Sequence, residues 1–405
     1  MKKNKSNKVI LVINAGSSSI KYKVFKLDND EVIGSGQCEK IGNQKGIFSL
    51  KYTLNGKTEK IEEILPIPNH NVGTKKILDE LKKHNVITNL KDIVGVGHRV
   101  VMGGIKFNQS TIVTKAVKDA LTKYIPLAPL HNPPEIETIN VFEKLLPGVK
   151  NVGVFDTSFH TTIPDFNHYP LNQEVVKKYQ IYKYGMHGTS YRYVTLKMQK
   201  VLKKKNVNLI ICHLGNGASI CEVRNGKSFN TTMGLTPLEG LMMGSRCGDV
   251  DASIATYLFH QGYKVEQIED LLNKQSGFKG VTGFNDCRDV TDAASKGDKK
   301  AILALEMYIT RVAKYIVTYA NEIANIGRID GIVFTAGIGE NAPDMIEMIT
   351  KKLPILGLQL NNKVLMQKYD DYRLISNHHS NINMYQVRTN EELMIEQDVR
   401  KLAKL

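Results

Sequence analysis

Three glycine-bearing segments, two arginines and one histidine carry most of the chemistry legible in this chain. Asn14-Ala-Gly-Ser-Ser-Ser-Ile-Lys21 follows a short apolar run. A phosphate needs backbone N–H groups that can approach closely, and glycine with small serines leaves that space. Lys21 adds positive charge, and Asn14 offers an amide oxygen to a hydrated metal. The G-x-x-x-x-G-K-[ST] spacing of a Walker A loop is absent, and alone the segment reads equally well as a hairpin turn. His213-Leu-Gly-Asn-Gly217 and Thr335-Ala-Gly-Ile-Gly-Glu-Asn341 each place two glycines at the exit of a predicted strand. Singly these are weak signals. Together, three glycine loops at strand ends are what a two-domain nucleotide cleft requires.

The cations come next. Gly97-His-Arg99-Val-Val101 and Met243-Gly-Ser-Arg246-Cys-Gly-Asp249 each set an arginine among glycines. An isolated arginine in a turn is more often a surface group. The functional alternative is a bidentate clamp on carboxylate or phosphoryl oxygens, which the planar guanidinium suits. In Tyr184-Gly-Met-His187-Gly-Thr-Ser190, the histidine stands just before a predicted helix start. A phosphoryl group there would meet an imidazole and the positive end of a helix. A lone histidine is usually structural, and only its neighbours lift this one.

The elements that must position these residues repeat. Val9 to Ile13 runs into Asn14–Ser19, a second apolar stretch from Ile20 to Phe25, and the turn Asp28-Asn29-Asp30. Two hundred residues later Leu209 to Cys212 runs into His213–Gly217, then Ser219 to Val223, then the turn Arg224-Asn225-Gly226. Both read as a buried strand, a glycine-bearing loop and a returning strand. Further buried strands at Ile93–Val96, Val152–Phe155 and Ile332–Phe334 end at Gly97, Asp156 and Thr335. Ligands of open α/β sheets bind beyond the carboxyl ends of strands, which places the chemistry there. Helices are predicted from Pro133 to the Pro147-Gly148 stop, from a Ser190 cap onward along Tyr191, Val194, Met198 and Val201, from about Lys300 to Ile326, and from Glu391 to Lys404, the last packing back on the first domain. The stripe Leu305, Ile309, Val312, Ile316, Ala320 and Ile323 is core. The pattern implies a duplicated α/β domain with a cleft between the halves.

Length and composition agree. A chain of 405 residues exceeds one compact core, and 42% hydrophobic with 23% charged residues is an ordinary globular balance. The formal charge of +15 favours anionic partners. The lysines are scattered, and the densest clusters, Lys2–Lys8 and Lys203–Lys205, lack interleaved aromatics, so no nucleic-acid binding is inferred. Five cysteines (Cys38, Cys212, Cys221, Cys247, Cys287) form an odd set without a CxxC pair, which argues against disulfides or zinc and for a reducing compartment. The run Val9–Ile13 is too short for a signal-peptide core, and no stretch is apolar enough to span a bilayer. A soluble, cytoplasmic protein with no membrane partner is expected.

These residues amount to a recognisable pattern. The sequence resembles the acetokinase family from Val9 to about Arg400, through NAGSSSIK (14–21), GHRVV (97–101), PLAPLHNP (126–133), VFDTSFH (154–160), YGMHGTS (184–190), CHLGNG (212–217), LTPLEGLMMGSRCGD (235–249), FTAGIGEN (334–341) and RTNEE (388–392). Nine ordered matches are far more specific than any one. The resemblance implies two duplicated actin-like ATPase domains, 1–156 plus about 392–405 and a nucleotide-binding 157–391, with an interdomain active-site cleft. It implies reversible phosphoryl transfer from ATP to acetate, giving acetyl phosphate and ADP by direct in-line transfer with Mg²⁺, Mn²⁺ being a substitute, in a homodimer. By resemblance, Arg99 and Arg246 bind acetate and the transferring phosphoryl group, and His187 hydrogen-bonds that group. Asp156 is the acidic residue assigned to catalysis, Asn14 and Glu391 hold magnesium, and Lys21 contacts phosphate. The segments His213, Leu214, Gly215, Asn216 and Gly217, then Asp286, Cys287 and Arg288, then Gly337, Ile338, Gly339, Glu340 and Asn341 line the nucleotide. Val101, Leu130 and Pro237, with Met186, form the small apolar pocket for the methyl group.

The chemistry suits these residue types. Acetate is ionised at neutral pH and needs no strong base; the reaction needs two anions held in line with their charge neutralised. Asp156 is therefore expected to orient Arg99 or the metal shell rather than take a proton. Four positions depart from the family's usual pattern. Met102 replaces a histidine, Tyr191 stands where HGTSH is expected, and Ala252 replaces a proline; all three are read as lying outside the chemistry. Met186 replaces phenylalanine beside the histidine, and its flexibility predicts relaxed tolerance for propionate. Cys247 stands where serine is common and is read as a small buried filler, against the alternative of an arginine-stabilised thiolate. The rival functions are propionate or butyrate kinase, and an actin-like ATPase without an acyl acceptor.

Overall fold

The structure, a computed structural model, describes residues 7–54, 56–129 and 131–405. The chain forms two compact units, Met1–Ser158 with Asn390–Leu405, and Phe159–Thr389. The first is built on β1 (Val9–Gly16), β2 (Ser19–Lys26), β3 (Val32–Glu39), β4 (Asn43–Leu54), β5 (Lys57–Ile67), β6 (Ile93–Val100), β7 (Thr111–Ile112) and β8 (Lys150–Phe155), in the order β5-β4-β3-β2-β1-β6-β8-β7. β1, β6 and β8 are parallel, and the other pairs are antiparallel.

The second unit uses β9 (Leu209–Leu214), β10 (Ala218–Arg224), β11 (Lys227–Thr231), β12 (Gly331–Thr335), β13 (Tyr372–Leu374) and β14 (Met384–Val387), ordered β11-β10-β9-β12-β14-β13. β9, β12 and β14 are parallel. The run β3-β2-β1-β6-β8 thus repeats as β11-β10-β9-β12-β14, which is the duplication expected from the two echoing hairpins. Strand sequences follow their surroundings. Val9–Ile13 in β1 is buried on both faces, as a strand flanked by packed layers requires, whereas β2 buries Ile20, Tyr22 and Val24 and turns Lys21 and Lys23 outward.

Helices cover the sheets where the apolar stripes predict. Lys299–Ala324 buries Leu305, Ile309, Val312, Ile316, Ala320 and Ile323. Asn132–Leu145 buries Ile139 and Phe142. The C-terminal helix Glu391–Ala403 buries Ile395 and Val399 against the first sheet. No helix among the described residues is long and apolar enough to cross a membrane.

Three local expectations are corrected. β6 does not end at Val96 but runs to Val100, so Arg99 lies in a strand rather than a glycine loop. The glycines there serve packing. A Cβ on Gly97 would fall 2.4 Å from Ile395, and one on Gly95 2.5 Å from Val399, so only bare backbone lets the C-terminal helix lie flat on β6. Ser190 does not cap its helix, which begins at Gly188 with His187 as N-cap at φ +60°. Ala336–Asn341 is a short helix rather than an open loop, entered through Ala336 at φ +64°. Left-handed backbone is strained for residues other than glycine, and it tends to be kept where neighbouring structure over-determines it.

Candidate active site

The first unit gathers four of the expected residues at the carboxyl ends of β1, β6 and β8. The Arg99 guanidinium donates through Nη2 to Asp156 Oδ2 at 2.6 Å and through Nε to the same carboxylate at 3.1 Å. Its Nη1 reaches Asn14 Oδ1 at 3.4 Å, and Glu391 lies 3.9 Å from Nε. Burial works against the arginine's charge, but Asp156 and Glu391 outweigh it and raise its pKa above the ordinary value. A two-point grip by a carboxylate that is only 1% exposed fixes the plane of the guanidinium.

Two further acids face this arginine. Glu135, at the start of Asn132–Leu145, accepts the Val101 N–H at 3.3 Å, and burial pushes it up to about 8 even though Arg99 opposes the shift. Burial likewise pushes Glu391 up to about 7, with Arg99 opposing and the like charge of Asp156 adding to it. Glu391 reaches this spot because the C-terminal helix begins at it and lies on the glycines of β6.

These oxygens fit a hard divalent cation. Asn14 offers an amide oxygen and Glu391 a carboxylate beside Asp156, and a cation would keep Glu391 ionised against its surroundings. Among the described residues no three His, Cys, Asp or Glu side chains form a closed cage. Mg²⁺ commonly takes only one or two protein carboxylates and completes its shell with phosphate and water. Lys21 pairs with Asn14 across the β1–β2 hairpin and is exposed.

The second unit holds the histidine and the other arginine. His187 Nδ1 lies 2.8 Å from Ser219 Oγ on β10, and its ring stacks on His213 with centroids 4.1 Å apart. His213 Nδ1 in turn meets Ser190 Oγ at 2.9 Å, the role Ser190 plays instead of capping. Arg246 donates to the Pro237 carbonyl at 3.3 Å and approaches Met243 Sδ at 3.7 Å. No carboxylate pairs with it among the described residues, and burial pulls its pKa down. A Cβ on Gly217 would sit 3.5 Å from Arg246 Nη1 and 3.8 Å from His187 Nε2, so both groups front the same glycine. A half-buried guanidinium without an acidic partner is a site for an incoming anion.

Beside this cluster is a cavity of about 790 Å³. Gly215, Asn216, Asp286, Cys287, Arg288, Gly337, Ile338 and Asn341 line it, eight of the residues expected around a nucleotide. Asp286 caps its own helix by accepting the Arg288 N–H, and the Arg288 side chain helps hold that carboxyl down at about 2. Gly337 has nothing within 4 Å of where a Cβ would be and faces open space. Leu214 is fully buried, Gly339 lies against the Phe334 backbone, and Glu340 braces Ala336 N and Thr389 N with Oε1 while its Oε2 pairs with Arg388. These three are not among the lining residues.

The residues expected for the apolar pocket are divided between the units. Val101 belongs to the first unit; Pro237 and the buried Met186 belong to the second; Leu130 lies outside the described residues. Cys247 is half-buried, burial pushes its thiol up, and its Sγ lies against the Gly248 carbonyl, which fits the filler rather than a thiolate. Tyr191 is read from sequence as lying outside the chemistry; its hydroxyl reaches Ser219 Oγ, which also meets His187 Nδ1. Sequence reasoning also passed over Ser219 and Glu135. Hairpin pairing could have found Ser219, which stands directly opposite His213. Nothing local marks Glu135.

The acetokinase family profile matches residues 9–397. Acetate kinase of Mycoplasmoides gallisepticum is 48% identical over 397 residues, 98% of this chain and 99% of that protein. The crystal structure of Porphyromonas gingivalis acetate kinase superposes with a TM-score of 0.88 at 38% identity, covering 98% of this chain and 99% of that one. That of a propionate kinase from Francisella tularensis gives 0.91 at 38%, covering 98% and 100%. With the family profile spanning residues 9–397 and backbone agreement over 98% of the chain, the chain belongs to the acetokinase family.

Proposed function

We propose that the protein transfers the γ-phosphoryl group of ATP to the carboxylate of acetate, reversibly, giving acetyl phosphate and ADP. The observation that carries this reading is Arg246, a cation with no acidic partner among the described residues, fronting Gly217 together with His187 beside a nucleotide-sized cavity. Ligand pockets commonly span about 300–1,000 Å³.

Both units carry groups that the transfer needs. In the first, Asp156 locks Arg99 so that its guanidinium presents a fixed face to oxygen anions. Committed to two hydrogen bonds from Arg99, Asp156 makes a poor general base, and acetate needs none. In the second, Arg246 and the His187 ring neutralise and hydrogen-bond the transferring phosphoryl oxygens. The start of the helix Gly188–Val201 adds its dipole. The glycine segments at 215–217 and 337 hold the nucleotide. Asn14 and Glu391 would hold Mg²⁺, which supplies charge neutralisation to the phosphates. In-line displacement of ADP by the acetate oxygen then follows from positioning and electrostatics.

Finer features belong to the same proposal. Met186, Val101, Leu130 and Pro237 define the acyl pocket. The helix Ser253–His260 exposes Ile254, Tyr257 and Phe259 and buries none of its side chains, which suits a homodimer contact; light scattering tests it. A cytoplasmic location belongs to the proposal, supported by the class of reaction and the free cysteines. Propionate is the second reading, favoured by Met186 and by likeness to the propionate kinase above. Trapping acyl phosphate as hydroxamate from ATP with acetate, propionate and butyrate decides among them. The largest kcat/KM with acetate is expected, and ATP hydrolysis with no hydroxamate would leave an ATPase without acceptor. EDTA should abolish turnover, and Mg²⁺ should restore it.

A further inference from the structure

Ser219 Oγ sits between two partners, the Tyr191 hydroxyl at 2.5 Å and His187 Nδ1 at 2.8 Å. A serine hydroxyl has one proton to give. Its direction decides which nitrogen of a neutral His187 ring carries hydrogen, and hence whether Nε2, the nitrogen that fronts Gly217 and Arg246, donates or accepts.

The surroundings choose a direction. Tyr191 is fully buried in an apolar cluster with Val194, Met198 and Ile211, and burial keeps its phenol protonated, so it is a donor. Thr231, near the phenol, gives its own proton to the Ile220 carbonyl at 3.2 Å and so cannot donate to the phenol, while Ser219 Oγ is the hydrogen-bond acceptor within reach of the phenol among the described residues. The Tyr191 ring is held edge-on by His160 and His213, with centroids 5.5 and 6.2 Å away. The phenol therefore donates to Ser219 Oγ, and the serine proton is directed at Nδ1.

We propose that Tyr191 is a positioning residue for the reaction: through Ser219 it fixes His187 as the tautomer protonated at Nε2, so that the imidazole presents an N–H donor toward Gly217 and Arg246. The inference rests on the acyl-phosphate reading for its use, because a donor there serves the oxygens of a transferring phosphoryl group. An acceptor nitrogen would repel them. Stacking on His213 keeps the ring plane, and the hydroxyl chain keeps its proton.

The test combines kinetics with imidazole nitrogen shifts in ¹⁵N-histidine-labelled protein. Wild type is expected to show His187 Nδ1 unprotonated and Nε2 protonated. Tyr191→Phe keeps the ring packing and removes the donor; its kcat should fall about tenfold, the scale of one lost hydrogen bond, with KM for ATP and acetate within about twofold. The His187 signals should move toward a tautomer mixture. Ser219→Ala should lose at least as much, and the double variant should be no worse than Ser219→Ala, because both break one chain. Protonated Nδ1 in wild type, unchanged kcat in Tyr191→Phe, or losses that multiply in the double variant would each overturn the inference. Failure of the underlying reading looks different: wild type would form no hydroxamate from any of the three acids while its nitrogen shifts stayed as expected.

Discussion

Arg99 and Arg246 are the same side chain put to opposite uses. Arg99 is enclosed by Asp156, Glu391 and Glu135, whose surplus of acid raises its pKa and immobilises it. Arg246 has a backbone carbonyl and a thioether for partners, and burial alone acts on its charge. The difference shows how one fold divides labour between its two halves. The first half spends acidic groups to make a rigid, cation-ready cluster. The second keeps a guanidinium without an acidic partner among the described residues, as the proposed anion site requires.

Removing each arginine should separate these roles most sharply. Arg246→Ala and Arg99→Ala are both expected to lower kcat/KM for acetate by a factor on the order of 10²–10³, the scale of lost transition-state charge stabilisation. Only Arg99→Ala should also lower Tm markedly, since it strands buried Asp156 at a cost of about 3–5 kcal/mol. Thermal melts of the two variants check this, and equal Tm losses would break the comparison. Gly217→Ala comes next. Its methyl would meet Arg246 and His187 at ordinary contact distances, so folding should survive while the space between them is filled. A kcat loss of about 10²-fold is expected, as for an ångström-scale misplacement of reacting groups. Wild-type turnover in that variant would show that the phosphoryl group binds elsewhere.

Smaller effects test the acidic half. Glu135 is raised from the usual 4.5 to about 8, so it holds a proton in the folded state that the unfolded chain has released. Stability of the wild type relative to Glu135→Gln should therefore be greatest below pH 4.5 and fall as pH rises through 8. Paired denaturant titrations at pH 5 and pH 8.5 measure it; a constant difference would mean the carboxylate is ionised throughout. The least effect is expected at Met186. Met186→Phe replaces a flexible side chain by a rigid one, and the propionate-to-acetate ratio of kcat/KM should drop about tenfold, the low end of what one methylene in an apolar pocket is worth. An equal or higher ratio would sever this residue from acyl selection.

Much of this molecule follows from local pattern. The apolar runs at Val9–Ile13 and Leu209–Cys212, each leading to a hairpin, announce the duplicated sheet, because a strand buried on both faces must be apolar at every position. The stripe on Lys299–Ala324 marks its helix for the same reason of burial. Glycines near strand ends point to the region where the cavity lies. What sequence alone misplaced depends on contacts between distant segments. Gly97 read as the start of a loop because glycine more often breaks strands, yet here Gly95 and Gly97 lie in a strand and admit a helix three hundred residues away. Tyr191 read as bystander because a helix pattern records which face is buried and not what a hydroxyl on that face will meet. The proton chain from Tyr191 to His187, the acids around Arg99 and the missing acid at Arg246 are properties of close packing between elements, and periodicity along one chain carries no term for them.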